Sequence, residues 1–323
     1  QVNGGGGVLF NDATTVEAIA AIGAAHRAYG TTGFLPTLIS DDLAVVDRAL
    51  RATEQAIEAG VPGVLGVHIE GPFLNVKRKG IHDPSKFRVL DGQAVALLSS
   101  LKHGKTLVTL APETTTPEMI RRLTDAGVIV SAGHTNASYA TTRKALDAGL
   151  SGFTHLFNAM SPLTSREPGV VGAALESQTA WCGLIVDGRH VDPAVLRIAL
   201  RTRPLDRFML VTDAMPTVGM ADKSFDLQGR NIRVVDNVCV DDQGTLAGSD
   251  LDMISAVRNA MSMLALSLPD AVSIASSAPA AFLGLTGLRG AIKAGQAADL
   301  VLLDAELNVR ETWIDGRTTT PVA

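Results

Sequence analysis

Three residues whose side chains commonly bind metal ions stand in apolar, strand-like runs of this sequence. Glu70 and His134 are the last residues of two such runs, and His155 lies in a third. In a parallel barrel the carboxyl ends of all strands open on one face, so we expect these three side chains to converge. Two imidazoles and one carboxylate leave a coordination position open, as catalytic zinc sites require. The pattern therefore predicts a divalent metal site made of Glu70, His134 and His155.

Each histidine also has a plainer interpretation when it is taken alone. A histidine in an apolar run is more often a packed, hydrogen-bonded residue than a ligand, and only the joint pattern favours metal binding. His68, two residues before Glu70, shares its face of the strand but is left out of the predicted ligand set. His26 and His103 lie in helical segments, where we expect surface positions.

Another strand-like run ends at Asp213, which would supply the proton carrier that a hydrolase needs. A carboxylate at the active face can accept a proton from water and later give it to a leaving nitrogen. A nearby cation keeps the carboxylate ionised before attack. Capping of the following element is the alternative role for Asp213.

The composition argues against several other classes of protein. The 323 residues are 46% hydrophobic and carry a net charge of -5, without the basic stripe that binds nucleic acid. The longest apolar runs fall far short of the ~20 residues of a membrane helix, and no signal peptide is visible. Cys182 and Cys239 make no metal-spacing pair, so we expect reduced thiols. A cytoplasmic protein with no nucleic-acid or membrane partner is expected.

The elements that position these residues alternate between β-rich runs and Ala-rich helical segments, as in repeated βα units. Eight strands can be counted, which predicts an α/β fold with a (β/α)8, TIM-like barrel. A helix is expected at 15–29 and another at 41–59, capped by Ser40 and Asp41. The long polar loop at 73–89 is expected to be functional. The predicted strands are residues 1–3, 31–38, 64–70, 106–112, 128–134, 153–158, 181–187 and 208–213.

Beyond Asp213 the pattern changes. Residues 225–240 alternate as in a hairpin, with turns at 228–229 and 236–237. Helices are then expected at 253–266 and 270–283.

Two further strands, at 298–304 and 309–317, fall outside the barrel, and two strands alone are marginal. The chain begins at Gln1 without methionine, so we expect the other half of a small β-sandwich in a segment that precedes it. The predicted division is a metal-dependent barrel at 1–285 and C-terminal sandwich strands at 286–323.

Nine short motifs of the chain resemble those of the N-acetylglucosamine-6-phosphate deacetylases, a family of the amidohydrolase superfamily. They occur in the right order over nearly the whole chain, which is far more specific than any one motif. The motifs are His68-Ile-Glu70-Gly-Pro-Phe-Leu, Lys79-Gly-Ile-His82-Asp-Pro, Leu110-Ala-Pro-Glu113, Ser131-Ala-Gly-His134-Thr-Asn-Ala, Thr154-His155-Leu-Phe-Asn158-Ala-Met, Arg166-Glu-Pro-Gly, Asp187-Gly-Arg-His190-Val-Asp, Val211-Thr-Asp213-Ala and Gly244-Thr-Leu-Ala-Gly-Ser249.

The resemblance implies a distorted TIM barrel with a β-sandwich, usually a homodimer. It implies hydrolysis of the acetamide of N-acetyl-D-glucosamine 6-phosphate to D-glucosamine 6-phosphate and acetate. Glu70, His134 and His155 would hold the metal, and Asp213 would be the general base and acid. His82, on the loop at 73–89, would polarise the acetamide carbonyl or bind the sugar.

The resemblance also implies the contacts to the substrate. Amides at Asn158 and Ala159 would meet the phosphate, with positive charge from Arg166 and His190, because a phosphate dianion favours charge-assisted donors. In related enzymes an arginine of the Arg166 type reaches into the neighbouring subunit's site; a solvated loop charge is the alternative. The implied substrate contacts are His82, Asn158, Ala159, Arg166, His190, and the backbone of Leu246, Ala247 and Gly248.

One departure from the superfamily concerns the number of metal ions. Many amidohydrolases carry His-x-His at the end of the first strand for a second metal, whereas this chain reads Gln1-Val2-Asn3. Amides are poor transition-metal ligands compared with imidazole. We therefore expect one ion per chain, zinc first, with iron(II), cobalt and manganese as alternatives.

Two other classes of function remain open. Hydrolysis of a cyclic amide or an N-acyl amino acid would use the metal ligands and Asp213 without needing Arg166 and His190. A non-catalytic sugar-phosphate binding protein would tolerate the loss of Asp213, which is present.

Overall fold

The computed structural model of the protein describes residues 1–318. Its central element is a seven-stranded parallel sheet in which every strand pairs with the next along the chain. A short hairpin, β1 (Gly4–Gly5) with β2 (Val8–Leu9), precedes the sheet. The strands of the sheet are β3 (Thr37–Ile39), β4 (Gly66–Glu70), β5 (Lys105–Leu110), β6 (Ile129–Ala132), β7 (Gly152–Phe153), β8 (Trp181–Leu184) and β9 (Phe208–Leu210). The predicted α/β barrel of repeated βα units is confirmed.

Residues 1–3 lie between the two edges of this sheet. Val2 makes isolated parallel bridges to Pro36, just before β3, and to Ala214, beyond β9. The backbone of Val2 accepts from the Thr37 amide at 2.8 Å, and the Asn3 amide donates to the carbonyl of Ala214 at 2.9 Å. These residues therefore occupy the place of a further barrel strand at its carboxyl end, as predicted for residues 1–3.

Ten helices are present in the described residues, and most begin at a side-chain cap. The helices are α1 (Val16–Arg27), α2 (Leu43–Glu58), α3 (Gly92–Leu98), α4 (Pro117–Asp125), α5 (Tyr139–Asp147), α6 (Gly169–Glu176), α7 (Pro193–Leu200), α8 (Met253–Leu264), α9 (Leu268–Ala275) and α10 (Ser277–Phe282). The predicted helix at 270–283 is thus two helices, because Ser276, with φ of -130° and ψ of -73°, leaves the helical conformation.

The main hydrophobic core lies between the parallel sheet and the helices. Ile19 and Ile22 of α1 and Ile120 of α4 are 1% exposed or less. Full burial of each such side chain stabilises the fold by roughly 1.5–3 kcal/mol.

The helix cap predicted at Ser40 and Asp41 is wrong. Helix α2 begins after Asp42, whose side chain makes no capping hydrogen bond, and the buried Ser40 contacts His82 instead.

A four-stranded antiparallel sheet follows the barrel, formed by β10 (Ser224–Leu227), β11 (Arg230–Val235), β12 (Val238–Val240) and β13 (Leu246–Ser249). The predicted hairpin is confirmed, and its turn residues Gln228, Asp236 and Asn237 adopt positive φ. Its apolar face packs with Ile39 and Ile81 in a second hydrophobic cluster. This sheet therefore lies near the carboxyl end of the barrel.

The last sheet has three antiparallel strands, β14 (Leu300–Leu303), β15 (Val309–Ile314) and β16 (Arg317–Thr318). The two strands predicted here are confirmed, and β16 pairs with β15 through the turn at 315–316. Thr312 packs this sheet onto α1 by donating to the carbonyl of Arg27 at 3.0 Å. Residues 319–323, the end of the predicted second unit, lie outside the described residues.

Three buried side chains are those of His26, Cys182 and Cys239. The surface position expected for His26 is wrong: it is 0% exposed, and its Nε2 lies 2.9 Å from the carbonyl of Gly4. Cys182 and Cys239 are free and buried, as expected, and burial raises the pKa of each thiol to about 12. No helix in the described part of the chain has the length and apolar character needed to span a membrane.

Candidate active site

The side chains of Glu70, His134 and His155 meet at the carboxyl end of the barrel. Glu70 Oε1 lies 3.1 Å from His134 Nε2 and 2.9 Å from His155 Nε2, and the two Nε2 atoms are 3.1 Å apart. All three residues are buried, with exposures of 2%, 6% and 4%. One ligand atom from each of three different strand ends therefore points at the same place.

The backbone turns sharply where the two histidines leave the sheet. His134 has φ of 48° and His155 has φ of 34°, a region that residues other than glycine rarely adopt. Such conformations cost of order 1–3 kcal/mol and cluster at functional sites. The predicted strands were too long at these ends, since β6 stops at Ala132 and β7 at Phe153.

The hydrogen bonds of the trio fit a divalent cation. His134 Nδ1 lies 2.9 Å from the carbonyl of Arg78, which can only accept, so Nδ1 carries the proton and Nε2 keeps a lone pair in the neutral ring. Ligands about 2.0–2.1 Å from a tetrahedral zinc ion are roughly 3.4 Å apart, close to the separations found here. The donor set of two imidazoles and a carboxylate suits zinc and neighbouring transition metals.

The pKa shifts of Glu70 and His155 are also consistent with a cation site. Burial would raise the pKa of Glu70, but the adjacent His134 and His155 hold that pKa well below its ordinary value. Burial lowers the pKa of His155, yet the hydrogen bond and charge of Glu70 raise it overall. A cation at this place would therefore compete with a proton for His155 Nε2.

Asp213 lies beside the trio and also adopts a left-handed conformation, with φ of 51°. The side-chain amide of Gln1 donates to Asp213 Oδ1 at 2.9 Å and to Glu70 Oε2 at 3.1 Å. Asn3 Nδ2 donates to the same Asp213 oxygen at 2.7 Å. Burial and the charge of Glu70 raise the pKa of Asp213, while His155 and the Asn3 hydrogen bond oppose that rise. A carboxylate with a raised pKa is suited to take up and return a proton.

His82 comes from the long loop between β4 and α3 and is 2% exposed. Its ring lies 4.3 Å from that of His134, centroid to centroid, so this loop residue belongs to the same site. Its Nδ1 lies 2.8 Å from Ser40 Oγ and accepts from the Ser40 amide at 3.3 Å. Burial and the charge of His134 lower the pKa of His82 well below its ordinary value.

Glu113 ties together the two loops that carry His82 and His134. Its carboxylate accepts from Asn75 Nδ2 at 2.8 Å, from Thr135 Oγ1 at 2.5 Å and from the Asn136 amide at 2.6 Å. The sequence places Glu113 in a motif but gives it no role. Ser40, which was predicted to be part of a helix cap, is the second residue whose role in the site the sequence did not reveal. No local sequence pattern signals the contacts of Glu113 or the contact of Ser40 with His82.

The predicted phosphate-binding residues lie on two segments. Asn158 donates to the carbonyl of His155 at 3.2 Å, and Ala159 has φ of 50°. The imidazole of His190 is 2.5 Å from Asp187 Oδ2. Arg166 is exposed and makes no hydrogen bond or ion pair with any residue in 1–318.

The strand β13 reaches Asp213 through its backbone. Gly248 has φ of 69°, and a Cβ atom there would lie 2.8 Å from the carbonyl oxygen of Asp213. The Ser249 amide donates to that oxygen at 3.0 Å. Leu246 is partly exposed and Ala247 is fully buried, and the contacts of Gly248 and Ser249 with Asp213 place this end of β13 beside the site.

His68 is not among the residues whose ligand atoms converge with those of Glu70. Its Nδ1 is 3.2 Å from Thr37 Oγ1 and its Nε2 is 2.7 Å from Thr109 Oγ1. Both ring nitrogens are thus hydrogen bonded inside the barrel, which agrees with its exclusion from the predicted ligand set.

The chain is similar to known proteins over almost its whole length. The amidohydrolase family model matches residues 2–319. The N-acetylgalactosamine-6-phosphate deacetylase of Shewanella sp. (strain ANA-3) is 46% identical over 98% of this chain and 80% of its own length. The N-acetylglucosamine-6-phosphate deacetylase of Haemophilus influenzae is 33% identical over 98% of this chain and 84% of its own.

Solved structures agree with these relatives. The N-acetylglucosamine-6-phosphate deacetylase of Pasteurella multocida superposes with a TM-score of 0.95 at 34% identity, over 99% of this chain and 84% of that one. A mutant of the Mycobacterium smegmatis enzyme, in complex with N-acetyl-D-glucosamine 6-phosphate, gives a TM-score of 0.89 at 36% identity, over 98% and 84%. The chain therefore belongs to the metal-dependent amidohydrolase family, and the four relatives described above are amino-sugar-phosphate deacetylases.

Proposed function

We propose that this protein is a metal-dependent deacetylase that hydrolyses N-acetyl-D-glucosamine 6-phosphate to D-glucosamine 6-phosphate and acetate. The observation that carries the proposal is the convergence of Glu70, His134 and His155 beside Asp213, with Gln1 donating to both carboxylates. This arrangement offers a cation site and a proton carrier within one buried cluster. Those are the two components that hydrolysis of an unactivated amide requires.

In this proposal Glu70, His134 and His155 hold one divalent ion. When bound, the ion supplies Lewis acidity and lowers the pKa of water toward ~7. Zinc is the proposed identity, because a set of two imidazoles and one carboxylate is typical of catalytic zinc. Iron(II), cobalt and manganese accept the same ligands and remain alternatives.

The protein's own residues carry the proton. Asp213 accepts a proton from the water whose oxygen bonds to the acetamide carbonyl carbon. As the carbon–nitrogen bond breaks, Asp213 gives that proton to the departing nitrogen, which leaves a free amine and acetate. His82 donates a hydrogen bond to the carbonyl oxygen, where negative charge develops.

The phosphate is proposed to contact amides at Asn158 and Ala159 and the side chains of Arg166 and His190. The sugar is proposed to lie along the backbone of 246–248. Arg166 is exposed and unpaired within residues 1–318, which supports the proposal that it serves the neighbouring subunit of a homodimer. We also propose a cytoplasmic location and a division of the chain into a barrel at 1–285 and a second unit at 286–323.

A second substrate is favoured by one specific observation. The relative that is 46% identical is an N-acetylgalactosamine-6-phosphate deacetylase. The two sugar phosphates differ only in configuration at C4 and carry the same acetamide and phosphate. Both are therefore candidates for the same catalytic groups.

The test is release of acetate from four compounds by the metal-loaded protein: both N-acetylhexosamine 6-phosphates and the two unphosphorylated sugars. We expect turnover of at least one phosphorylated sugar and far weaker turnover of its unphosphorylated counterpart. The kcat/KM ratio of the two phosphorylated sugars decides between the two substrates. Turnover of a cyclic amide or an N-acyl amino acid, with none of any sugar, would contradict the proposal and favour the other amidohydrolase activity.

A further inference from the structure

The ring of His82 is held from one side by Ser40. Ser40 directly follows β3 and is 1% exposed. Its backbone amide donates to His82 Nδ1 at 3.3 Å, and its hydroxyl lies 2.8 Å from the same nitrogen. A backbone N–H can only donate, so a proton on Nδ1 would face another proton across this contact. Nδ1 therefore carries a lone pair, and the ring proton resides on Nε2.

The position of Ser40 is fixed by contacts on several sides. Asn11 brackets the preceding residue, because its Oδ1 accepts from the Ile39 amide at 3.0 Å and its Nδ2 donates to the Ile39 carbonyl at 3.1 Å. Gly71 leaves room for the hydroxyl, since a Cβ atom there would lie 2.3 Å from Ser40 Oγ. Ser40 is thus not free to turn away from His82.

The other ring nitrogen is available to a ligand. Among residues 1–318, His82 Nε2 has no hydrogen-bond partner, and it is not one of the sealed polar atoms of the interior. The ring that bears it packs 4.3 Å from His134, one of the three converging residues. An N–H at this place can donate to a substrate oxygen but cannot accept from one.

We propose that Ser40 is a positioning residue that fixes the Nε2–H tautomer of His82, so that His82 acts at the metal centre as a hydrogen-bond donor. The proposal deepens the deacetylase function and rests on it for the identity of the acceptor, the acetamide carbonyl oxygen. The tautomer itself is a property of the protein and is measurable without any substrate.

The direct test is ¹⁵N NMR of the zinc-loaded protein labelled at its histidine rings, with the His82 signals assigned from their loss in His82→Gln. We expect one-bond coupling to a proton at Nε2 and none at Nδ1. Coupling at Nδ1 with none at Nε2 would overturn the proposal, whatever reaction the protein catalyses. If the tautomer is as expected but no acetamido sugar is hydrolysed, the proposed function fails and the tautomer assignment stands.

Kinetics of two His82 variants give a second test. A Gln amide can place a donor near the position of Nε2, whereas an Asn amide reaches only the position of Nδ1. Loss of a donor to a developing oxyanion costs about 10²–10³ in kcat. We expect that loss in His82→Asn and about a tenfold loss in His82→Gln; equal losses would contradict the assignment.

A double-mutant cycle separates positioning from a general structural effect. Ser40→Ala keeps the backbone donor and removes the hydroxyl, so we expect kcat to fall roughly three- to tenfold, the scale of one hydrogen bond. In the His82→Gln background, which has no Nδ1, Ser40→Ala should cause no further loss. The same loss in both backgrounds would show that Ser40 acts only on the stability of the site.

Discussion

Two histidines of the site, His82 and His190, have hydrogen-bond partners of opposite kind at Nδ1. His82 Nδ1 faces the amide donor of Ser40, whereas His190 Nδ1 lies 2.5 Å from an oxygen of Asp187. A carboxylate can only accept, so His190 carries a proton on Nδ1 and donates through Nε2 only when the ring is cationic. Burial would raise the pKa of Asp187, but the hydrogen bond and charge of His190 hold it below its ordinary value. The neutral rings of His82 and His190 therefore favour different tautomers.

At the residue scale the first prediction concerns Asp213. Asp213→Asn keeps the size of the side chain but removes its ability to accept a proton, so we expect kcat to fall by about 10²-fold or more. Metal content and substrate binding should be largely kept, because Asp213 is not one of the three converging ligands. Steady-state kinetics, metal analysis and a binding titration with N-acetyl-D-glucosamine 6-phosphate measure the three quantities.

The matched control is Asp252→Asn, the same chemical change at the cap of α8. Asp252 accepts from the Ser255 amide at 2.8 Å, and asparagine is an equally good cap, so kcat should not change. Wild-type kcat in Asp213→Asn would show that the proton carrier is another group.

Individual site residues were predictable where strand position alone brings them together. Glu70, His134 and His155 follow from three strand ends on one face of the barrel. The buried position of His26 and the contact of Ser40 with His82 did not follow. Both depend on partners 22 and 42 positions away in the chain, and the helical and capping patterns around them are equally compatible with solvent exposure.

At the element scale the barrel is held by close pairing of β4 with β5. Gly66 opens β4 with φ of 150°, and a Cβ atom there would lie 1.9 Å from the carbonyl oxygen of Lys105. That oxygen belongs to the backbone of β5 and cannot rotate away as a flexible side chain can. The glycine is therefore required by the approach of the two strands.

We predict that Gly66→Ala destabilises the protein by roughly 3 kcal/mol or more, beyond the common cost of overpacking. Gly127→Ala is the matched control, because Gly127 also has positive φ, of 84°, but a Cβ atom there would meet nothing within 4 Å. The control should lose only about 1 kcal/mol. Urea denaturation of both variants measures the difference, and equal losses would show that strand contact is not the cause.

The order and type of the elements were predictable, but several strand ends were not. The apolar run continues through Ile185 and Val186 after β8 ends at Leu184, so hydrophobicity alone overextends the strand. The left-handed turns at His134, His155 and Asp213 end pairing without glycine, the usual sequence signal for that conformation. These turns are stabilised by tertiary contacts, which local patterns do not record.

At the scale of the whole molecule, the number of metal ions follows from what faces the site. Gln1 and Asn3 direct side-chain N–H groups at the carboxylates, and an N–H group is not a metal ligand. We predict about one divalent ion per chain after dialysis, measured by elemental analysis. Two retained ions, both required for turnover, would contradict this prediction.

An ion bound weakly at the surface must not be counted together with the ion of the buried site. Glu54, Glu58 and His103 form a second group with ligand atoms within 4.8 Å of one another, but it is exposed or half-buried. The Glu54 carboxylate already accepts hydrogen bonds from the backbone amides of Lys102 and His103. His103→Ala is the control: it should leave the retained ion and the activity unchanged.

The assembly of the molecule is tested by Arg166, whose side chain is proposed to complete a neighbouring site. Charge-assisted bonds to a partly buried dianion are worth roughly 1.5–3 kcal/mol, so Arg166→Ala should lower kcat/KM for the phosphorylated sugar by about one to two powers of ten. Weak activity on the unphosphorylated sugar should barely change, and equal losses on both would remove Arg166 from phosphate recognition.

Co-expression of Arg166→Ala and Asp213→Asn chains then decides which subunit's site Arg166 completes. If Arg166 acts across the interface, each heterodimer has one site with both lesions and one with neither, so activity returns from two impaired parents; if it acts within its own subunit, every site keeps a lesion and none returns.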